Sequence, residues 1–160
     1  MLNIFVSSVF LLSFGVLASV PETPISPKSL FVVDGDSISL QMRVVGMDTP
    51  ELGQPCEQVQ GKRLDCGRIA KDYLQQTLNT LPGELRLVPI GKDTYQRILV
   101  RVYKGETNVA RYLVSQGMAF SYRDTYLQQQ QQAKAAKRGF WAYHTPPIKP
   151  YQWRRQNPRR

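Results

Sequence analysis

Residues 42 to 52 read MRVVGMDTPEL, a short apolar stretch with charged side chains at both ends. Its centre, VVGM, is typical of a half-buried β-strand. A stable sheet needs neither Arg43 before this centre nor the carboxylates of Asp48 and Glu51 after it. The stretch therefore predicts a strand that leads into a functional site.

Other β-rich segments lie on both sides of this strand. Upstream, SLFVV and SISLQ flank the sequence DGD, and downstream ELRLVPI and RILVRVY are linked by GKDTYQ, which predicts a hairpin. Apolar residues at helical spacing predict an amphipathic helix over 68–81. Two further helices are expected, one in NVARYLVSQG and one over 124–138.

This order of elements predicts a mainly β fold with some α-helix. Five short strands with helices inserted late fit a five-stranded OB-fold barrel with three helices on its side or end. The regular alternation of strand and long helix that marks a parallel sheet is absent from the sequence.

The chain divides by composition into four parts. Residues 1–20 carry no charged side chain and are mostly apolar, which predicts a signal peptide, although the run is nearly long enough to be an uncleaved membrane anchor. A Pro-rich spacer follows at 21–28, the folded domain is expected over 29–143, and 144–160 forms a basic C-terminal tail. The protein is thus expected to be exported to the periplasm or secreted, or membrane-anchored if the leader is retained.

The charge and the residue inventory restrict the function. The formal net charge is +9 at pH 7, and five positive charges lie in the acid-free stretch 149–160. Such a charge attracts nucleic acid, anionic lipid or acidic glycans without choosing among them. One histidine excludes mechanisms with two histidines, and two cysteines that pair in a disulfide leave no thiol for a zinc site or a Cys-His pair. A hydrolase of this composition must work with carboxylates, arginines and, where one is needed, a hard cation.

The two cysteines, Cys56 and Cys66, lie just after the DTPE sequence. In an oxidising compartment they are expected to form a disulfide. On the chain-entropy model, closing a loop of about eleven residues stabilises the fold by about 2.5 to 3 kcal/mol.

Oxygen-bearing side chains cluster in two short segments. In an extended segment Asp34 and Asp36 point the same way, although the DGD sequence is also a common hairpin turn. Asp48 and the carbonyl of Thr49 follow in a loop that Pro50 makes rigid. Together they would supply the oxygen-only ligands that Ca²⁺ or Mg²⁺ prefers.

Two arginines complete a phosphodiester site. Arg43 and Arg97 could each form a doubly hydrogen-bonded contact with a phosphate, although either alone could equally be a surface ion pair. With the carboxylates they predict a site in which Glu51 activates water. Arg43 and Asp48 are five positions apart, so the chain must turn for both to reach one phosphate, and Gly46 is the expected place.

Five separated motifs, VVDGDS, MRVVGMDTPE, DTYQR, NVARYLVSQGMA and AAKRGFW, resemble the staphylococcal nuclease (thermonuclease) family in the family's order along most of 29–141. The resemblance implies an OB barrel with three helices that hydrolyses DNA and RNA with Ca²⁺ and leaves 3′-phosphate ends. It implies Asp36, Asp48 and the Thr49 carbonyl as calcium ligands, with Asp34 nearby.

The same resemblance assigns the remaining roles. It implies that Arg43 and Arg97 bind the phosphate and that Glu51 is the general base. Tyr95 matches an aromatic residue that lies beside the bound nucleotide, and Tyr122 matches another.

The sequence departs from the family pattern at two places in the predicted site. Only Ser37 to Met42 separate the DGD sequence from Arg43, which is a shorter hairpin than the family has. Gln96 replaces a glycine of the family, which matters if this position needs a positive φ.

The alternative function is that of a catalytically silent OB module that binds nucleic acid by charge and stacking. Retention of the carboxylates argues against it, because binding needs none of them. The tail sequence YQWRRQNPRR could also contact anionic surfaces. A monomer with DNA and RNA as substrates is expected.

Overall fold

The computed structural model describes Pro27 and residues 30–158. The predicted leader and most of the predicted spacer lie outside the described residues. Within the described part of the chain, no helix combines the length and the apolar character needed to cross a bilayer.

Short strands and helices alternate along the described chain. The strands are β1 (Leu30–Val32), β2 (Ile38–Leu40), β3 (Met42–Val44), β4 (Met47–Asp48), β5 (Pro55–Glu57), β6 (Arg63–Asp65), β7 (Leu85–Lys92), β8 (Ile98–Lys104), β9 (Thr107–Asn108) and β10 (Phe120–Ser121). The helices are α1 (Cys66–Thr80), α2 (Val109–Ser115), α3 (Leu127–Ala135) and α4 (Pro150–Gln156), with a 3₁₀ turn at Gly139–Ala142.

The largest sheet has the order β3-β8-β7, with β9 paired to β8. β7 and β8 form the predicted antiparallel hairpin, with a register shift between Pro89 and Gly91. β3 runs parallel to β8 and places Arg43 opposite Leu99. Two small antiparallel sheets, β4-β10 and β5-β6, lie beside the site described below.

The predicted five-stranded barrel with three helices is not confirmed. Within the described residues the β1-β2 hairpin is a separate sheet, and the helices number four. The short connection explains the separation, because only Gln41 lies between β2 and β3, whereas a tight hairpin needs about two turn residues. The fold is mixed α and β, with several small sheets.

The core forms where α2 packs across β8. Val100, Val109 and Leu113 are almost wholly buried there, and Tyr73 and Leu74 of α1 pack against them. This confirms the amphipathic helix predicted over 68–81, which the structure places two residues earlier at its start. The core holds β8 and its neighbour β3 in place. The loop before β8 carries Arg97, and the turn after β3 leads to Asp48.

The predicted disulfide between Cys56 and Cys66 is confirmed. It joins β5 to the first residue of α1, and both cysteines are buried. Phe140 lies in the same small apolar cluster. The disulfide therefore ties the segment after the DTPE sequence to the body of the domain.

The segment 144–156 is packed against the domain, although the sequence suggested a tail over 144–160. The backbones of Glu57 and Thr145 exchange hydrogen bonds of 2.9 and 3.0 Å. The side-chain amide of Gln54 donates to the carbonyl of Ile148 at 2.7 Å. The fully buried Pro150 then begins α4, an additional helix that the sequence analysis did not predict. The boundary predicted at residue 143 stays a prediction.

Candidate active site

The turn between β3 and β4 brings the first arginine to the first carboxylate. Gly46 has a φ of 82°, and a Cβ at this position would lie 2.6 Å from a ring carbon of Tyr126, so the turn requires glycine. Nη2 of Arg43 donates to Oδ1 of Asp48 at 2.9 Å. The predicted change of direction at Gly46 is thus confirmed.

The loop that carries Glu51 is held from two directions. Gln54 is wholly buried, and its side-chain oxygen accepts a hydrogen bond from the Glu51 backbone N–H at 3.0 Å. The backbone N–H of Gln54 donates to the Glu51 carbonyl at 2.8 Å. Asp65 caps α1 and also accepts from the Gly53 N–H at 3.0 Å. A side chain at Gly67 would collide with the Glu51 carbonyl. These contacts fix the backbone from which the Glu51 carboxylate projects.

A third arginine, Arg154 of α4, joins the site. Its Nη2 donates to Oδ2 of Asp48 at 2.8 Å, and its Nη1 donates to Oε1 of Glu51 at 2.7 Å and to Oδ1 of Asp48 at 3.3 Å. The hydrogen bonds to Asp48, and after them those to Glu51, raise the pKa of Arg154 despite its partial burial. Arg154 was not predicted as a site residue from the sequence. The signal available was a proline that could begin a helix, Pro150, four positions before it.

The second predicted arginine, Arg97, is held by a carboxylate of its own loop. Its Nε donates to Oδ2 of Asp93 at 2.7 Å, and Oδ1 of Asp93 accepts from the backbone N–H groups of Tyr95 and Arg97 at 2.9 and 3.0 Å. Partial burial raises the pKa of Asp93, but the hydrogen bonds from Arg97 and from these N–H groups outweigh it and leave the pKa below its ordinary value. Asp93 is the second residue that sequence analysis missed.

The backbone of the same loop is strained at Gln96. This residue has a φ of 64°, a conformation that glycine adopts freely and that other residues adopt at a cost of about 1 to 3 kcal/mol. The positive φ that would make the replacement of glycine by Gln96 matter is therefore present. The loop before Arg97 thus holds Gln96 in a backbone conformation that glycine would adopt without this cost.

Each predicted arginine has an aromatic neighbour. The guanidinium carbon of Arg97 lies 5.5 Å from the ring centroid of Tyr95, which is 77% exposed. That of Arg43 lies 5.9 Å from the ring of Tyr122, whose backbone N–H donates to the Gly46 carbonyl at 3.1 Å. Exposed rings beside arginines can stack on nucleotide bases.

The two aspartates of the DGD sequence form an exposed turn between β1 and β2. The Asp36 N–H donates to Oδ1 of Asp34 at 3.3 Å, and the Ser37 hydroxyl donates to Oδ1 of Asp36 at 3.2 Å. Hydrogen bonds from Ser37 and then from Asp36 lower the pKa of Asp34. The DGD sequence thus forms the turn of the β1-β2 hairpin, while the metal-ligand role of its aspartates stays a prediction.

The structure unites part of the predicted site. Arg43, Asp48 and Glu51 meet around Arg154, while no hydrogen bond or ion pair in the described residues joins Asp36 or Arg97 to Asp48. Nor do three acidic, histidine or cysteine side chains of the described ranges come close enough to hold a metal ion.

The donor chemistry at the end of β4 nevertheless fits a hard cation. Asp48 and the adjoining carbonyl of Thr49 supply oxygen alone. A carboxylate also has about four lone-pair sites, more than the arginines occupy on Asp48.

Comparison with known proteins gives the family. A family model for staphylococcal nuclease homologues matches residues 41–143. The chain is 34% identical over 159 residues to an uncharacterized endonuclease of Haemophilus influenzae, covering 91% of this chain and 82% of that protein. It is 28% identical over 130 residues to a thermonuclease of Staphylococcus hyicus, covering 72% of this chain and 75% of that protein. The matched region covers more than half of the chain and includes the MRVVGMDTPE motif, which contains Asp48 and Glu51. The chain therefore belongs to the staphylococcal nuclease family.

Proposed function

We propose that the protein is an exported, Ca²⁺-dependent nuclease that hydrolyses phosphodiester bonds of DNA and RNA and leaves 3′-phosphate ends. The observation that carries the proposal is the meeting of Arg43, Asp48 and Glu51 at the end of β4. A phosphate-binding guanidinium, a cation ligand and a general base then lie within one small region. Family membership supports the reaction class.

Glu51 is the general base of the proposed reaction. Its carboxylate takes a proton from water as the water oxygen bonds to phosphorus; the P–O5′ bond breaks, and the 5′ oxygen leaves with the bonding electrons and takes up a proton from solvent. Its side chain is 23% exposed, so water can reach it, while Gln54 holds its backbone in place. A base held in this way contributes by position as well as by proton transfer.

Arg43 and Arg97 bind the phosphate and offset the negative charge that develops on it. Each guanidinium has five N–H donors, and the contacts to Asp48 and Asp93 use only part of them. The remaining donors can meet phosphate oxygens in the planar geometry that arginine favours. Tyr95 then stacks on a base of the substrate, as Tyr122 does beside Arg43.

Asp48 and the Thr49 carbonyl would hold Ca²⁺ with Asp36, and Asp34 would lie close to this set. When bound, the cation would supply charge for the phosphate oxygens and an oriented water. This assignment requires the β1-β2 turn to lie beside Asp48 in the enzyme that has bound Ca²⁺.

The proposal also includes export of the protein and an OB-barrel fold. The uncharged apolar leader and the disulfide both fit an oxidising compartment. The parallel pair β3-β8 and the antiparallel hairpins β7-β8 and β1-β2 would supply the strands of the proposed OB barrel. We also propose that the protein acts as a monomer and that the basic residues at its C-terminus contact anionic surfaces.

The test is hydrolysis of single-stranded DNA and of RNA by the purified protein in Ca²⁺ or in EGTA. We expect both substrates to be degraded to 3′-phosphate products in Ca²⁺, and EGTA to stop the reaction. Binding of either substrate without cleavage in Ca²⁺ would support the silent OB module and contradict the nuclease.

A further inference from the structure

We propose that Arg154 is a positioning residue of this site, which holds the carboxylates of Asp48 and Glu51 in their working arrangement. Helix α4 is then a part of the nuclease and not an appendage. The inference rests on the proposed function, because it assigns Arg154 a role through the cation ligand and the general base.

The geometry at the carboxylates is that of a clamp. The Arg154 guanidinium spans both side chains with hydrogen bonds of 2.8 Å to Asp48 and 2.7 Å to Glu51. Asp48 is only 7% exposed, and a buried carboxylate needs a close cationic partner. Arg43 already occupies Oδ1 of Asp48, so Arg154 fixes the second oxygen and thereby the rotation of the group.

Gln54 contacts both the Glu51 loop and the segment that precedes α4. The buried amide of Gln54 binds the Glu51 backbone through its oxygen and the Ile148 carbonyl through its nitrogen. Fully buried Pro150 begins α4 directly after this contact. The Gln54 side chain therefore connects the backbone of the Glu51 loop to the segment that leads into α4.

The adjacent Arg155 lies on the same helix and provides a comparison for the exposure and ion pairs of Arg154. It is exposed, and none of the described carboxylates pairs with it, whereas Arg154 is 37% exposed and makes two ion pairs. An arginine that only attracts polyanions through its charge would not have to pair with both Asp48 and Glu51. R155A removes the same charge from the same helix and is the matched control.

The test compares wild type, R154A, R154K, R155A and E51Q as full-length purified proteins. The measurements are kcat on a DNA oligonucleotide in Ca²⁺, the melting temperature, and recovery of activity by added guanidinium ion. We expect R154A to lose about 10- to 100-fold in kcat, as residues that orient a metal ligand do, and R155A to stay near wild type. R154K should lie between R154A and wild type, because one ammonium group cannot bridge both carboxylates in the same way.

Guanidinium should restore part of the activity of R154A and none of that of E51Q, a result that a purely structural role would not give. A kcat of R154A at or above that of wild type would overturn the inference, since Arg154 would then be dispensable or obstructive. If R154A does not fold, R154K decides: a reduced kcat at an unchanged melting temperature supports the inference, and wild-type kcat overturns it. Full activity of E51Q would instead overturn the proposed function.

Discussion

Replacing Glu51 with glutamine should lower kcat for DNA hydrolysis by about 10²- to 10⁴-fold, the usual contribution of a general base. The amide cannot take a proton from water, but it keeps the shape of the side chain and an oxygen that can accept from Arg154. The backbone contacts of Glu51 to Gln54 do not involve the carboxylate, so the loop should stay in place. Steady-state cleavage of a labelled oligonucleotide in Ca²⁺ measures the effect.

The matched control is Glu84→Gln, which removes the same charge from an exposed position just before β7. DNA binding by Glu51→Gln, followed by fluorescence anisotropy, should stay within a few-fold of wild type. Equal cleavage by Glu51→Gln, Glu84→Gln and wild type would remove Glu51 from its assigned role.

Arg97→Ala should slow hydrolysis by about 10²- to 10³-fold, because one donor to a developing oxyanion is typically worth that much. Asp93 remains to accept the backbone N–H groups of its loop, so the loop should persist without the guanidinium. Arg43→Ala should cost a similar factor and should also lower the melting temperature, since the buried Asp48 loses one of its ion pairs. The kcat/KM for DNA is the quantity to compare.

Arg101→Ala serves as the control for Arg97→Ala, because Arg101 is an exposed arginine of β8 four residues further along. A loss of the same size in both variants would show a general effect of net charge. Such a result would contradict a specific phosphate contact by Arg97.

Local patterns carried most of the correct sequence-based predictions. Alternating apolar residues and the GKDTYQ loop gave the β7-β8 hairpin, and helical spacing gave α1. The five-residue separation of Arg43 from Asp48 required a turn, and Gly46 was the residue able to make it. Each of these depends on residues close together in the chain, where periodicity and turn chemistry are informative.

Contacts between distant parts of the chain were not predictable in the same way. Arg154 lies 106 positions from Asp48 and 103 from Glu51, and no spacing rule links residues so far apart. A basic stretch usually forms a solvated surface, which is why composition suggested a tail. Only one residue separates β2 from β3, so these two strands cannot form a tight hairpin with each other. Their partners depend on distant parts of the chain and could not be predicted from local patterns.

The central claim is that Asp36 and Asp48, from separate segments, hold one cation beside Glu51. Titration of Ca²⁺ into wild type, Asp36→Asn and Asp48→Asn by isothermal calorimetry tests it most directly, with exposed Asp72→Asn of α1 as the control. We predict that each of the two site variants binds Ca²⁺ at least about tenfold more weakly than wild type and Asp72→Asn. Wild-type affinity in Asp36→Asn would contradict the account, because the DGD turn would then take no part in the site.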